Sequence, residues 1–173
     1  HRRHGGEKGL LLVRQSKTSK LRVLVNGPDM TDTAVSLPPK PSPAKQAISM
    51  GAVDFVRGTN VAIDQCVAGP GTLANATPCS TAPNAAEFDF DAVAPGTYRL
   101  EINYAADGSR PVRVLVNGTV VREQALSSST GGWANSHLSW TTVGPVTLRQ
   151  GRNTIRLERS DVFPHIHDLR LLP

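Results

Sequence analysis

The feature that most constrains this chain is a run of alternating apolar residues on both sides of an Asn-Gly pair, RVLVNGTVV at residues 113–121. Asn and Gly tolerate the positive φ angles that a two-residue turn between antiparallel strands requires. Apolar side chains at every second position give each strand one face for a core. The run therefore predicts a tight β-hairpin.

The same alternation continues through most of the chain beyond residue 48. One face of segment 96–105 is apolar, formed by Tyr98, Leu100, Ile102 and Tyr104. Turn signals rich in Gly, Pro, Asn and Asp separate such segments, and no stretch has the period of an amphipathic helix. The pattern predicts an all-β fold, an antiparallel β-sandwich of the jelly-roll type, rather than a parallel sheet with crossover helices.

Composition divides the chain into three parts. Residues 1–27 form a basic N-terminal arm with two short strand-like runs, at 10–13 and 21–25. Residues 28–47 contain five prolines up to residue 43 and are expected to form an extended linker. Residues 48–173 are expected to form the sandwich. The arm could pair with an edge of that sandwich, with a second copy of the chain, or with an upstream domain.

The net charge of +5 belongs to the arm and not to the sandwich. Residues 1–22 carry seven Lys and Arg against one Glu, whereas residues 49–173 carry ten Arg against eleven Asp and Glu. A body with a net charge of −1 lacks the basic face that phosphate binding needs, so nucleic acid is not an expected partner. No apolar run is long enough to span a membrane, so no membrane span is expected.

Cys66 and Cys79 are the only cysteines of the chain and enclose a short segment rich in Gly, Pro, Ala and Thr. Such a pair predicts a disulfide formed in an oxidising compartment, with two unpaired thiols as the alternative. A bridge closing a loop of this length is expected to stabilise the fold by about 3 kcal/mol. A metal site is less consistent with the spacing, because neither cysteine has a CxxC partner.

Four motifs follow one another in a recognisable order: APGTY at residues 94–98, VLVNG at 114–118, TGGW at 130–133 and VTLRQGRNTI at 146–155. This order resembles the carbohydrate-binding modules of families 6 and 35, within the broader galactose-binding-like sandwiches. The resemblance covers residues 85–172 well and residues 49–84 poorly. It implies a β-sandwich that binds poly- or oligosaccharides in a secreted or cell-surface protein.

The closing strand departs from the pattern of those families. His165 stands where the resemblance implies an Asn that hydrogen-bonds a sugar hydroxyl, and His167 stands where it implies an Asp. The acidic pair that opens such modules and helps to hold calcium is not evident, and Asp54 is the one early carboxylate nearby. Structural calcium is the one cofactor that the resemblance allows. Asp54, His165 and His167 are the candidate metal ligands, with His137 as a further imidazole.

The candidate ligand contacts are Trp133, Asn135, His165 and Tyr104. An exposed indole after two glycines can stack on the apolar face of a pyranose ring, and the polar groups beside it can bond the hydroxyls. The alternative for Trp133 is that it covers the end of the core. Trp140 lies in a strand-like run and is expected in the core.

No catalytic motif is present: there is no Gly-x-Ser-x-Gly elbow, no phosphate-binding loop and no Cys/His pair with nucleophilic character. The chain is therefore expected to be no enzyme itself, but a non-catalytic glycan-binding module and a potential accessory domain of one. The alternative is a structural or assembly module whose arm adds a strand to a neighbour.

Overall fold

The computed structural model describes residues 11–12, 20–24, 34–36 and 39–173. The chain forms two compact units, residues 1–42 and 43–173. Strands of the first unit are β1 (Leu11–Leu12), β2 (Lys20–Leu24) and β3 (Ala34–Ser36). β2 pairs antiparallel with β1 on one side and with β3 on the other. β1 and β2 lie where the sequence placed strand-like runs, whereas β3 lies inside the stretch expected to be a linker. The division into arm, linker and sandwich stays a prediction.

The second unit is a sandwich of two antiparallel sheets, which confirms the predicted fold class. Its strands are β4 (Ile48–Gly51), β5 (Arg57–Thr59), β6 (Val61–Ile63), β7 (Leu73–Asn75), β8 (Asn84–Ala92), β9 (Gly96–Ala105), β10 (Val112–Val116), β11 (Thr119–Ala125), β12 (Ser139–Leu148), β13 (Gly151–Arg159) and β14 (His165–Leu172). One sheet has the strand order β11-β10-β13-β8-β5, and the other has the order β12-β9-β14-β7-β6, with β4 paired to β14.

Helical structure in the described residues is limited to two single-turn 3₁₀ helices, Ala52–Asp54 and Asn135–His137. Each has three residues, and neither is long enough to cross a lipid bilayer.

The hairpin predicted around Asn-Gly is confirmed as β10 and β11. Asn117 and Gly118 have φ angles of +50° and +79°, as expected for a two-residue turn with both central residues in the left-handed region. The backbone N–H of Thr154 donates to Asn117 Oδ1 (3.0 Å), so the turn also bonds the neighbouring strand β13. The hairpin thus fixes one edge of the five-stranded sheet.

The core lies between the two sheets and follows the predicted alternation. In β9 the side chains of Tyr98, Leu100, Ile102 and Tyr104 are buried. The facing sheet contributes Phe88, Phe90, Val112, Val114, Ile155 and Leu157, all buried in the same cluster. Apolar burial on this scale supplies the main favourable free energy of folding.

Trp140 lies outside this core, and the expectation that it is buried is wrong. Its side chain is 40% exposed, and its Cα partner on β9 is the outward-facing Asn103. A β-bulge between Thr142 and Gly144 is the reason. After the bulge the even-numbered Val146 and Leu148 point inward, but before it the inward positions are odd-numbered, so Trp140 points outward.

The predicted disulfide is confirmed. Cys66 and Cys79 are bonded, with their Cα atoms 5.3 Å apart, and the bridge encloses the buried strand β7. Cys66 and Val67 both have left-handed φ angles, of +57° and +61°, at a tight turn after β6. Residues 64–72, which connect β6 to β7, are called the disulfide loop below.

Candidate functional site

Trp133 lies in the connection between β11 and β12, residues 126–138, which crosses one end of the six-stranded sheet. Thr130 fastens this connection to the end of β9: its backbone N–H donates to the carbonyl of Ala106 (2.8 Å), and its hydroxyl oxygen accepts from the N–H of Ala106 (2.8 Å). A bridge between Ala106 and Gly132 continues the contact. The backbone that carries Trp133 is therefore held by main-chain bonds. We call this region, with the disulfide loop, the loop end.

The indole of Trp133 is half-buried and packs against the core cluster. The guanidinium carbon of Arg110 lies 4.1 Å from the ring centroid, at cation–π distance. Arg110 Nη1 also donates to the carbonyl of Phe163 (3.0 Å). Burial, together with the charge of Arg159, lowers the pKa of Arg110 below its ordinary value. One face of the indole is thus covered by the chain itself.

His165 lies behind Trp133 and is buried, with 4% of its surface exposed. Its ring centroid is 5.0 Å from that of the indole, and Nδ1 lies 2.9 Å from the carbonyl oxygen of Trp133. A carbonyl only accepts, so Nδ1 carries the proton and donates. Burial and the nearby charge of Arg110 lower the pKa of His165. The imidazole supports Trp133 from inside and offers no surface to a ligand in this conformation.

Asn135 links the connection to the disulfide loop. Its Nδ2 donates to the carbonyl of Pro70 (3.2 Å), and its Oδ1 accepts from the hydroxyl of Thr72 (3.1 Å). A Cβ at Gly69 would lie 2.2 Å from Oδ1, so a larger residue there would displace the Asn135 side chain. Asn135 is half-buried, so part of its surface is accessible, and it follows Trp133 by two residues.

Tyr104 is fully buried and does not reach the surface of the loop end. Its hydroxyl donates to the carbonyl of Ser128 (2.7 Å). Burial raises the pKa of Tyr104 above its ordinary value. Tyr104 therefore anchors the connection from inside the core. Of the four predicted ligand contacts, Trp133 and Asn135 keep accessible surface, whereas His165 and Tyr104 lie behind them.

The candidate metal ligands do not come together. Asp54 Oδ2 accepts from the N–H of Gly51 (2.8 Å), and His167 Nδ1 lies 2.6 Å from Asp168 Oδ2, while His165 is buried. Within residues 39–173 and the described strands of the arm, no three His, Cys, Asp or Glu side chains form a cluster that could hold a metal. Calcium prefers six to eight oxygen ligands. Among the described residues, Asp54, His165 and His167 do not supply such an oxygen-rich set.

The outer face of the five-stranded sheet carries a network of ion pairs. Asp89 is bonded by Arg57 (2.8 Å) and Arg152 (3.1 Å), and Glu87 is paired with both Arg57 and Arg156. The hydrogen bonds from Arg57 hold the pKa of Asp89 and of Glu87 below their ordinary values. Because Glu87 and Asp89 are both ionised and paired, neither is suited to act as a general acid at neutral pH.

A groove of about 620 Å³ lies beside this network, lined in part by Arg113, Glu123, Arg156, Glu158 and Arg159. None of the predicted ligand contacts lines it. Its charges are largely paired with one another, as in the contacts of Arg113 with Glu123 and Glu158.

Sequence reasoning missed Arg110 and placed Trp140 in the core, whereas the structure has it exposed. Nothing in the spacing of Arg110 distinguishes it from other arginines in turns. Gly144 did carry a signal for Trp140, because an isolated glycine inside a strand pattern indicates a bulge.

Comparisons with known proteins agree with this architecture. The sequence model of carbohydrate-binding module family 35 matches residues 53–173. A family 35 module from Clostridium thermocellum superposes with a TM-score of 0.60 at 26% identity, over 73% of this chain and 97% of that one. The search of curated protein sequences found no match.

Two further structures share the fold. The GH26-CBM35 β-(1,4)-mannanase of Podospora anserina matches with a TM-score of 0.56 at 21% identity, over 73% of this chain and 27% of that one. The C-terminal family 6 module of a laminarinase from Zobellia galactanivorans matches with a TM-score of 0.56 at 17% identity, over 74% of this chain and all of that one. The resemblance seen in the motif order is thus confirmed over the sandwich. This chain belongs to carbohydrate-binding module family 35.

Proposed function

We propose that the chain binds glycans at the loop end as the non-catalytic module of a secreted or cell-surface protein. The observation that carries the proposal is the family match, which runs from residue 53 to residue 173 and covers every strand of the sandwich except β4. Trp133 would supply the apolar platform for one sugar ring, and Asn135 would supply a hydrogen-bonding group at its rim.

The geometry supports a pre-formed site. Arg110 covers one face of the Trp133 indole and His165 lies behind it, so the ring keeps one orientation before a ligand arrives. Asn135 is fixed by its bonds to Pro70 and Thr72. A rigid contact loses less conformational entropy on binding than a mobile one. A shallow site with one aromatic contact is expected to bind at micromolar to millimolar concentrations.

The parent protein is proposed to be a larger enzyme or surface protein. In the mannanase of Podospora anserina the similar region is 27% of the chain, and in the exo-β-1,3-galactanase of Phanerochaete chrysosporium it is 30%. A comparable attachment would make this chain an accessory domain that keeps a catalytic domain near its polysaccharide. The disulfide supports an oxidising, extracellular compartment.

Depletion isotherms on insoluble polysaccharides would test this proposal. Mannan, xylan, β-1,3-glucan and β-1,3-galactan would each be mixed with the wild type and with Trp133→Ala. We expect the wild type to bind at least one of them and Trp133→Ala to bind it at least about tenfold more weakly, a difference of 1.4 kcal/mol. Val93→Ala, at an exposed side chain between β8 and β9, is the matched control.

Two results would contradict the proposal. The first is a wild-type protein that binds none of the four polysaccharides. The second is a folded Trp133→Ala variant that binds as tightly as Val93→Ala.

A second candidate function, assembly through the arm, is favoured by one observation. Residues 1–42 form a compact unit of their own with three paired strands, which is more structure than a bare tail would have. An edge strand with free N–H and C=O groups can pair with a neighbouring chain. Sedimentation of the full chain and of residues 43–173 would test it: a larger species that disappears with the arm supports assembly, and equal monomers contradict it.

A further inference from the structure

The outer face of the six-stranded sheet carries an ordered array of side chains that the loop end does not use. Strand register places Trp140, Asn103 and Asp168 in one row across β12, β9 and β14. The next row holds Thr142, Glu101 and Arg170. We call these six residues the Trp140 face.

Gly51 on β4 continues the first row beyond Asp168 and has no side chain. With neighbouring strands about 4.8 Å apart, the row from β12 to β4 is about 14 Å wide. The indole stands at one edge of it and a glycine lies at the other. The row is wider than one pyranose ring.

The indole of Trp140 is fixed and yet open. The guanidinium carbon of Arg170 lies 4.0 Å from the ring centroid, and Arg170 is held in turn by Glu101, whose Oε2 accepts from Nε at 2.7 Å. One ring face is therefore covered by Arg170. The residue as a whole is still 40% exposed, so Arg170 does not close the indole off from solvent. An immobilised aromatic ring with one open face suits stacking on the C–H face of a sugar.

Hydrogen-bonding groups lie beside the indole. Asn103 Nδ2 donates to Asp168 Oδ2 (3.2 Å), and His167 Nδ1 contacts the same oxygen. Asn103 Oδ1 is a buried acceptor without a hydrogen-bond partner, the one side-chain polar atom of this kind in the described part of the chain. A buried acceptor left unpaired costs free energy, and a ligand hydroxyl would remove that cost if the Asn103 amide turned outward to accept from it.

The charges of the Trp140 face indicate a neutral ligand. Arg170 and the adjoining Arg99 are both paired with Glu101, at 2.6 and 2.9 Å, and Asp168 is bonded by Asn103 and His167. Arg99 and Arg170 equal Glu101 and Asp168 in number, so the face carries no net positive charge that would attract an anion. Glu101 is ionised at neutral pH, because its bonds to Arg170 lower its pKa.

The same face is a poor surface for docking another protein. Stable protein interfaces have a contiguous apolar core, usually larger than a single side chain. The exposed large apolar side chains of the described residues are Trp140 and four valines. None of the four valines lies in the two rows, so Trp140 is the one large apolar side chain of the Trp140 face. One aromatic ring surrounded by polar groups fits a carbohydrate better.

We propose that the Trp140 face is a second contact surface for a neutral oligo- or polysaccharide, separate from the loop end. The proposal shares only its ligand class with the function proposed above. Trp140 supplies the stacking platform, Arg170 holds the ring in place, and Thr142, Asn103 and Asp168 bond hydroxyl groups. A polysaccharide that reached both surfaces would bind with higher avidity than it would at either surface alone.

Single-tryptophan variants separate the two surfaces, because the chain has only two tryptophans. Trp133→Phe leaves Trp140 as the one indole, and Trp140→Phe leaves Trp133. Acrylamide quenching of the remaining tryptophan would be measured in both variants. The neutral ligands are mannan, xylo-oligosaccharides and laminari-oligosaccharides, and polygalacturonate is the acidic probe. We expect a neutral oligosaccharide to lower the quenching constant of Trp140 by about twofold, since stacking removes its open face.

Each result decides between the surfaces. A response of Trp140 alone supports the Trp140 face and contradicts the loop end, whereas a response of Trp133 alone does the reverse. No response from either tryptophan contradicts both, and a Trp140 response limited to polygalacturonate contradicts the neutral ligand class.

Sedimentation covers the remaining case. A dimer that dissociates on Trp140→Ala, with no glycan effect on Trp140, would identify a protein interface and overturn the proposal. Arg170→Lys keeps the charge but not the planar guanidinium, and we expect it to weaken the Trp140 response more than Arg99→Lys does.

Discussion

The two tryptophans of this chain each contact an arginine, but one packs on the core and the other lies on the surface. Each indole has a guanidinium near one ring face, Arg110 at 4.1 Å from Trp133 and Arg170 at 4.0 Å from Trp140. Trp133 is half-buried, and its arginine bonds a backbone carbonyl. Trp140 is 40% exposed, and its arginine bonds a carboxylate. A cation–π contact therefore does not by itself define a role: at Trp133 it adds to the packing on the core, whereas at Trp140 it orients a surface ring.

Removing the disulfide tests how far the loop end depends on its covalent bridge, and we expect the largest effect here. Cys66→Ser with Cys79→Ser should lower the free energy of unfolding by about 3 kcal/mol, because the unfolded chain regains the freedom of the closed loop. Urea unfolding measures it, and the wild type under a reducing agent is the control. Glycan binding by Trp133 should weaken in the variant, since Asn135 bonds the disulfide loop, while the response of Trp140 stays. Equal loss at both tryptophans would show that the disulfide supports the whole sandwich and not the loop end in particular.

Truncating the two indoles compares them directly. Trp133→Ala should cost about 2 kcal/mol of stability, less than a fully buried tryptophan, because only part of its surface packs on the core. Trp140→Ala should cost under about 1 kcal/mol, the value of an exposed cation–π contact. The midpoints of urea unfolding of the two variants give the difference. Costs of equal size would show that the burial of Trp133 does not stabilise the fold.

The hydroxyl of Tyr104 tests whether the core positions the loop end. Tyr104→Phe removes the bond to Ser128 and should cost about 1 kcal/mol. Tyr98→Phe is the matched control, because Tyr98 lies near the opposite end of β9 and its buried hydroxyl also donates to a backbone carbonyl, that of Ala94 (2.9 Å). Both variants should lose similar stability, but only Tyr104→Phe should weaken glycan binding at Trp133. Equal binding by the two variants would count against an anchoring role.

Titration of His165 is expected to give the smallest effect. Its pKa in the folded state is lowered, chiefly by burial, so the unfolded chain binds the proton more readily. Stability should therefore be constant above about pH 6.5 and fall as the pH decreases from there toward the folded-state pKa. Urea unfolding between pH 5 and 7 measures this slope.

His165→Gln should remove that slope, and His137→Gln, at an exposed imidazole, serves as the control. The carboxylates of Glu87, Asp89 and Glu101 act in a different window, because their pKa values are lowered. Their contribution is complete above the ordinary carboxyl range and is lost only as the pH falls below it. A slope that persists in His165→Gln between pH 5 and 7 would assign it to another group.

The fold was predictable from local patterns, whereas the site was predictable only in part. Apolar and polar residues alternate over five or more positions in the Asn-Gly hairpin and in the strand around Tyr98. This alternation predicts a strand because one face of each sheet is buried in the core. The disulfide followed from cysteine usage. The accessibility of His165 and Tyr104 did not follow from sequence, because it depends on the connection at 126–138 folding across the sheet end. Trp140 was misplaced for a different reason, the bulge at Thr142 and Gly144.

That bulge gives β12 an unusual sensitivity to its length. If Gly144 were deleted, residues 139–143 would shift by one position relative to the core, and Trp140 would turn inward while Thr141 turned outward. A lineage carrying this strand could thus gain or lose a surface aromatic ring through a single codon insertion or deletion, with no change at the tryptophan codon.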